Sequence, residues 1–276
     1  MALAGTALAA AALAQAATTR QIDNSGLAAA SRAWDFYNSS DASLPTQGFS
    51  PVEDGLLTSK RPPRGASDGF DGGLLVDVDG TAFADGDGKG SFDTKANSFE
   101  VGPDLTGTTL KVARTETAKG PYLRSLVKLA NPSASAFTAT ITWDSDLGSD
   151  NSESVQASSS GDKTFTKADR WVISSETGAN GFADDPTLTF VLFGKRAQTK
   201  VSSVVNGPGS GFLTVEYEVK VPSHAARYLL FYTEMNVNPA QAKKSTGKYD
   251  QRSLSKGLLA GISEKVRKRI LNWDVG

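Results

Sequence analysis

The sequence predicts an all-β fold: a large antiparallel β-sandwich with a short N-terminal helix and a C-terminal amphipathic helix. Three observations lead there. Several stretches alternate apolar and polar residues with period two. Ser and Thr together make 54 of the 276 residues, with 27 Gly beside them, a composition of strands and turns rather than helices. Turn clusters punctuate the chain with no strand–helix alternation, so a doubly wound parallel sheet is not expected.

Taken in order, the first element is a run of Ala and Leu from Ala2 to Ala17, closed by Ala14-Gln15-Ala16. It reads as the apolar region and small-residue cleavage site of a signal peptide over 1–17, although no Lys or Arg precedes it, the alternative being an ordinary alanine-rich helix or tail that stays. It is too short and too weakly apolar for a membrane span. The expected location is secreted or cell surface. Over 18–64 the expectation is a helix followed by an extended connection. Leu27, Ala30, Trp34 and Tyr37 recur at helical spacing, with Trp34 and Tyr37 expected to bury against the sheet. Pro45, Pro51, Pro62 and Pro63 then mark irregular chain.

The span 65–240 is the expected sandwich. Phe137, Ala139, Ile141 and Trp143 alternate with threonines, and Leu213, Val215, Tyr217, Val219 and Val221 alternate with polar residues. Each stretch gives one apolar and one wet face. Further strands are expected at Leu74–Val78, Thr108–Arg114, Tyr122–Leu129, Arg170–Ser174, Leu188–Phe193 and Ala226–Thr233. Lys119-Gly120-Pro121, Asn131-Pro132, Ser160-Gly161-Asp162 and Gly207-Pro208-Gly209-Ser210-Gly211 supply turns between them. The remainder, 241–276, is read as a basic helical segment packed on the sandwich. Leu259, Ile262, Val266, Ile270 and Trp273 form its stripe, Ser263 its N-cap, and Lys265, Arg267, Lys268 and Arg269 its solvated faces.

Composition removes several chemistries. Without cysteine there are no disulfides, thiol nucleophiles or Cys-based zinc sites, and with His224 as the one histidine a multi-histidine zinc site is ruled out. The net charge of −1 argues against a dedicated nucleic-acid binder. From Lys243 to Gly276, however, nine residues are basic and three acidic, so the acidic body ends in a basic segment. Walker and Rossmann patterns are missing from the sequence.

The residues with chemistry to offer are few. Asp77, Asp79, Asp85 and Asp87 cluster oxygen ligands on glycine-rich backbone, which suits calcium. Asp-Gly equally marks hairpin turns, and the EF-hand pattern fails at Lys89 and Ala96. Calcium is the one cofactor the sequence suggests. Asp144, Asp146 and Asp150 are read as turn caps or a weaker calcium group. Glu176, Asp184 and Asp185 are the carboxylates least poorly placed for hydrolysis, a solvated loop being the plainer reading. Arg114, Arg124 and His224, with Tyr122 and Tyr228, match the residue types with which a lyase neutralises a uronate and removes its proton. Ion pairing for the arginines and an exposed turn for His224 explain them as well. Trp143, Trp171 and Tyr232 could stack on sugars, but alternation puts Trp143 on the apolar face.

The order of motifs from Asp68-Gly69-Phe70 and Gly72-Gly73-Leu74 carries a resemblance. It runs through Gly102-Pro103, Leu110-Lys111-Val112-Ala113-Arg114, Tyr122-Leu123-Arg124 and Leu129-Ala130-Asn131-Pro132. Leu147-Gly148-Ser149-Asp150, Ser158-Ser159-Ser160-Gly161-Asp162 and Asp169-Arg170-Trp171 follow, then Gly261-Ile262-Ser263 and Leu271-Asn272-Trp273. Over roughly residues 65–275 this resembles a β-rich module of large secreted or cell-surface bacterial proteins. Such modules resemble the galactose-mutarotase-like supersandwich, a fold that hosts sugar epimerases, polysaccharide-lyase domains and inert accessory domains. The resemblance therefore implies a supersandwich-like architecture. The expected function is a non-catalytic extracellular module, structural or binding a polysaccharide or cell-surface protein. The alternative is a mutarotase-like or polysaccharide-lyase-like carbohydrate-active enzyme or accessory domain.

Overall fold

Alternating side chains build the two main sheets of this protein. The structure, a computed structural model, describes residues 69–83, 89–93, 95–102, 109–119, 122–148, 152–176 and 185–275, and six short strands before them. Those six are β1 (Thr18–Gln21), β2 (Leu27–Ala29), β3 (Arg32–Trp34), β4 (Tyr37–Asn38), β5 (Phe49–Ser50) and β6 (Gly55–Leu57). There follow β7 (Phe70–Val78), β8 (Thr81–Ala82), β9 (Lys89–Asp93), β10 (Ser98–Val101), β11 (Lys111–Lys119), β12 (Tyr122–Asn131) and β13 (Phe137–Leu147). The last strands are β14 (Glu153–Ser158), β15 (Trp171–Glu176), β16 (Thr187–Val191), β17 (Ser203–Asn206), β18 (Phe212–Val221) and β19 (Ala225–Asn236), and the helices are α1 (Pro239–Thr246) and α2 (Glu264–Arg267).

Among the described residues a nine-stranded sheet runs β1-β9-β10-β11-β12-β19-β16-β15-β14, and a five-stranded sheet runs β17-β18-β13-β7-β8. Every pairing in both is antiparallel. The all-β sandwich expected from the sequence is what forms. The two most strongly alternating stretches are partners, in register from Phe137↔Val221 to Asp146↔Phe212. Their apolar faces meet the large sheet in the main core, where Trp143 stacks on Phe231 with ring centroids 4.0 Å apart. Burying large apolar rings across two sheets is the dominant stabilisation available to such a fold.

Two expectations need correction. The expected helix is not there: Leu27–Ala29 and Arg32–Trp34 are paired strands of a small three-stranded sheet, β2-β3-β6. Steps of three and four also occur between residues of separate short strands, so the spacing misled. Trp34 is nevertheless buried in the main core, as expected. The C-terminal stripe is buried too, with Val266 half-buried, but as successive turns around one four-residue helix, α2, rather than as a long helix. Leu259, Ile262, Ile270 and Trp273 cover the outer face of the large sheet against Tyr122, Trp171, Leu230 and Tyr232.

Why residues 269–273 cannot be helical follows from where they sit. β19 pairs with β12 along its length but with β16 only from Tyr232 to Asn236. The open edge that remains is filled by the C-terminal segment. Tyr228 N–H donates to Arg269 O (3.0 Å), Leu271 N–H donates to Tyr228 O (2.9 Å), and Ile270 bridges Tyr228 in parallel. The Asn272 side chain continues the ladder, accepting from Leu230 N–H and donating to Leu230 O, both at 2.8 Å. Backbone groups at a buried strand edge require such partners.

Candidate functional site

The sequence-selected residues separate into three environments. Arg114 lies between the sheets, fully buried, with its guanidinium 2.8 Å from Glu116 and over the Trp143 ring. Ser125 donates to the other Glu116 oxygen. Arg124 faces the opposite way and fastens the C-terminal turns: its guanidinium donates to Leu258 O (3.1 Å), Ala260 O (2.7 Å) and Thr117 Oγ1 (3.2 Å). Tyr232 Oη donates to the same Leu258 carbonyl. Tyr122 and Tyr232 pack edge to face in that outer layer. Trp171 packs there too, donating from Nε1 to Asp250. Trp143 is core. All these side chains are committed to holding the fold.

The acidic candidates are similarly placed. Asp79 and Gly80 both have positive φ and form the two-residue β7–β8 turn, while Asp79 Oδ1 accepts from Thr140 N–H at 2.8 Å. Positive φ at both central positions is what a type I′ hairpin turn requires. Asp77 points from β7 beside Asp144, and burial together with that neighbour raises its pKa. Asp144 itself accepts from Thr214 Oγ1 at 2.5 Å. Asp146 continues β13. Asp85, Asp87, Asp150 and Asp184 fall outside the described residues. Among the described residues no group of three or more His, Asp or Glu side chains gathers in a way that could hold a metal. Glu176 ends β15, two strands beyond β19 in the large sheet, and Asp185 lies just before β16.

His224 and Tyr228 are the candidates the fold does bring together. They line a groove of about 720 Å³ with Lys111, Lys128, Lys265 and Arg269. Strand register builds its floor. Lys128 stands opposite Tyr228, and Ala130 stands opposite both Lys111 and Ala226, so Lys111 and Lys128 are diagonal neighbours on the outer face. The alanines leave room above them. One wall is the C-terminal segment. Ser263 caps α2 by accepting from Val266 N–H, and Lys265 on α2 and Arg269 in the turn after it line this wall. The far end is the β18–β19 turn, held by His224 N–H donating to Ser133 O (3.1 Å). His224 is exposed there with φ 49°, a left-handed conformation that is unfavourable for a residue with a Cβ.

The groove is electrostatically one-sided. Four Lys or Arg side chains and one imidazole line it, and none of the described residues lining it is an Asp or Glu. A cleft lined by one sign concentrates oppositely charged ligands. Burial pushes the Tyr228 hydroxyl pKa up, Arg269 opposing and Glu100 reinforcing the shift, so at neutral pH it is a hydrogen-bond donor rather than a base. The sequence assigned Lys265 and Arg269 to solvated helix faces and did not single out Lys111 or Lys128. The signal that joins them is the strand register, which residue identities alone do not carry.

No protein-family model matches the sequence, and no curated protein matches it. Among solved structures, a putative kojibiose phosphorylase from the human microbiome is similar with TM-score 0.46 and 11% identity, over 80% of this chain and 31% of that one. The Slr1438 protein of Synechocystis sp. PCC 6803 is similar with TM-score 0.28 and 11% identity, over 59% of this chain and 66% of that one. The chain thus spans less than a third of the phosphorylase. Likenesses this remote carry no argument about activity. Among the described residues no helix is long and apolar enough to cross a membrane.

Proposed function

We propose that this chain is a non-catalytic, extracellular binding module that holds an acidic polysaccharide in the groove between β11, β12, β19 and α2. One observation carries the reading: four cationic side chains and, among the described residues, no carboxylate line a groove whose lining includes Tyr228. Uronate or sulfate groups would pair with the cations, and the tyrosine offers an apolar surface with a polar tip. The 720 Å³ volume lies within the range of small-ligand sites. Glycoside hydrolysis by an acid–base pair needs two facing carboxylates, which the described residues of the lining do not supply. The Ala2–Ala17 run supports export, and the motif order supports a place among the supersandwich-like modules of secreted or cell-surface bacterial proteins.

A second reading, a lyase-like carbohydrate-active enzyme, is favoured by His224 and Tyr228 lining the same groove beside cations. The raised Tyr228 pKa weighs against tyrosinate as its base.

The test is to incubate the protein with polygalacturonate, heparin, neutral dextran and duplex DNA, measuring both co-sedimentation and new reducing or unsaturated ends. The expectation is retention on the acidic polysaccharides alone, weakened by salt, with no new ends. Lys111→Ala combined with Lys128→Ala should lower affinity about tenfold, as two lost charge contacts would. Equal retention on dextran, or preference for DNA, would overturn the acidic-polysaccharide reading. New ends that vanish in His224→Gly, a change that relieves the left-handed backbone, would establish the enzyme instead.

A further inference from the structure

Pocket geometry on the far side of α2 bears on how long the ligand is. A second cleft, of about 180 Å³, opens there and is lined by Arg196, Gln198, Arg267, Lys268, Trp273 and Asp274, among others. The two clefts share one ridge, residues 265–270. Lys265 and Arg269 line one flank of this ridge, and Arg267 and Lys268 line the other. The ridge therefore carries cations on both sides.

These second-flank cations are not equivalent. Arg267 is occupied, donating from Nε to Ile262 O (2.8 Å) and from Nη2 to Leu259 O (3.0 Å). Lys268 pairs with Glu264, but the two side chains are 65% and 79% exposed, and so exposed a pair is readily exchanged for another anion. Arg196 is exposed on the loop after β16. Against these cations stands, among the described residues of the lining, a single acid, Asp274.

Resting on the groove reading above, we infer that the ligand is an extended polyanionic chain that crosses the α2 ridge and engages Arg196 and Lys268 in the second cleft. A helix with its side chains is about 10–12 Å across. A ligand reaching both clefts is therefore several monosaccharides long, and a single acidic sugar fills only the first. Chain length thus becomes a property that this surface recognises.

The experiment titrates the full chain with a heparin disaccharide and a heparin decasaccharide, following Kd and stoichiometry. Wild type should prefer the decasaccharide. Arg196→Ala with Lys268→Ala should weaken decasaccharide binding about fivefold, the scale of two exposed charge contacts, and leave disaccharide binding unchanged. Lys111→Ala with Lys128→Ala should weaken both. Because all four side chains are exposed, the melting temperature should not move. If the Arg196/Lys268 variant binds decasaccharide as wild type does while the Lys111/Lys128 variant does not, the crossing is wrong and the groove reading stands. If the Lys111/Lys128 variant binds both probes like wild type, the groove reading fails and the crossing with it.

Discussion

Substituting Arg124 by Ala removes the fastening between the large sheet and the C-terminal turns. Three hydrogen bonds from a charged donor disappear, to Leu258 O, Ala260 O and Thr117 Oγ1. At about 1.5–3 kcal/mol each these would be a large loss. Two terms reduce it: the guanidinium no longer has to be desolvated, and its Nε is already buried without a partner. The expected net destabilisation is about 3 kcal/mol, or a melting temperature lower by about 6–12 °C for a domain of this size. Tyr232→Phe should cost less, about 1 kcal/mol, because Arg124 still serves the Leu258 carbonyl. In the double variant both donors to that buried carbonyl are gone. Its loss should exceed the sum of the single losses by about 1 kcal/mol. Urea unfolding followed by circular dichroism gives all four corners of the cycle. A loss below about 1 kcal/mol for Arg124→Ala, or strict additivity in the double variant, would refute the view that both side chains hold one carbonyl.

Two other perturbations probe separate parts of the structure. Gly194→Ala would place a Cβ 2.6 Å from the Trp273 ring, and overpacking of this kind should cost about 1–3 kcal/mol in the same urea assay; a neutral result would mean that Trp273 does not seat there. Asp169 accepts from Ser160 N–H and from Thr166 N–H and Oγ1. Burial raises its pKa, but these hydrogen bonds outweigh that and hold it below the ordinary aspartate value. A lowered carboxylate pKa stabilises the fold above the unfolded-state value of about 3.9, and that contribution fades as the pH falls through it toward the folded value. Asp169→Asn should therefore lower the melting temperature at neutral pH, with the gap to wild type narrowing below about pH 4; a gap that stays constant with pH would contradict it.

Legibility in the sequence followed the side chains' own periodicity. Phe137–Trp143 and Leu213–Val221 announce strands because each has one face in the core, and their mutual pairing keeps the pattern intact. Arg114 and Glu116 break that pattern. They occupy inward positions of β11 while neutralising each other between the sheets, so a charged residue there looks like a surface one. At the C-terminus the stripe from Leu259 to Trp273 predicted burial correctly and shape incorrectly, since consecutive turns repeat every three or four residues much as a helix does. The groove was legible in part. His224 and Tyr228 stood out as unusual residue types, but Lys111 and Lys128 lie on different strands and become neighbours only through the β11–β12 register. Pairing partners are a tertiary property, and spacing along the chain does not encode them.

The stitching of residues 269–272 onto β19 has a consequence for the order of folding. β19 sits mid-sheet, between β12 and β16, yet half of its second edge is closed by chain made some forty residues later. A nascent chain that has emerged only as far as β19 carries an open central edge and a bare layer of Tyr232 and Leu230. Both are invitations to mispairing with another chain. Native closure therefore waits until Trp273 has been synthesised, well after the strand it completes. A chaperone that shields β19 during that interval should matter more to yield than one that acts on any earlier strand.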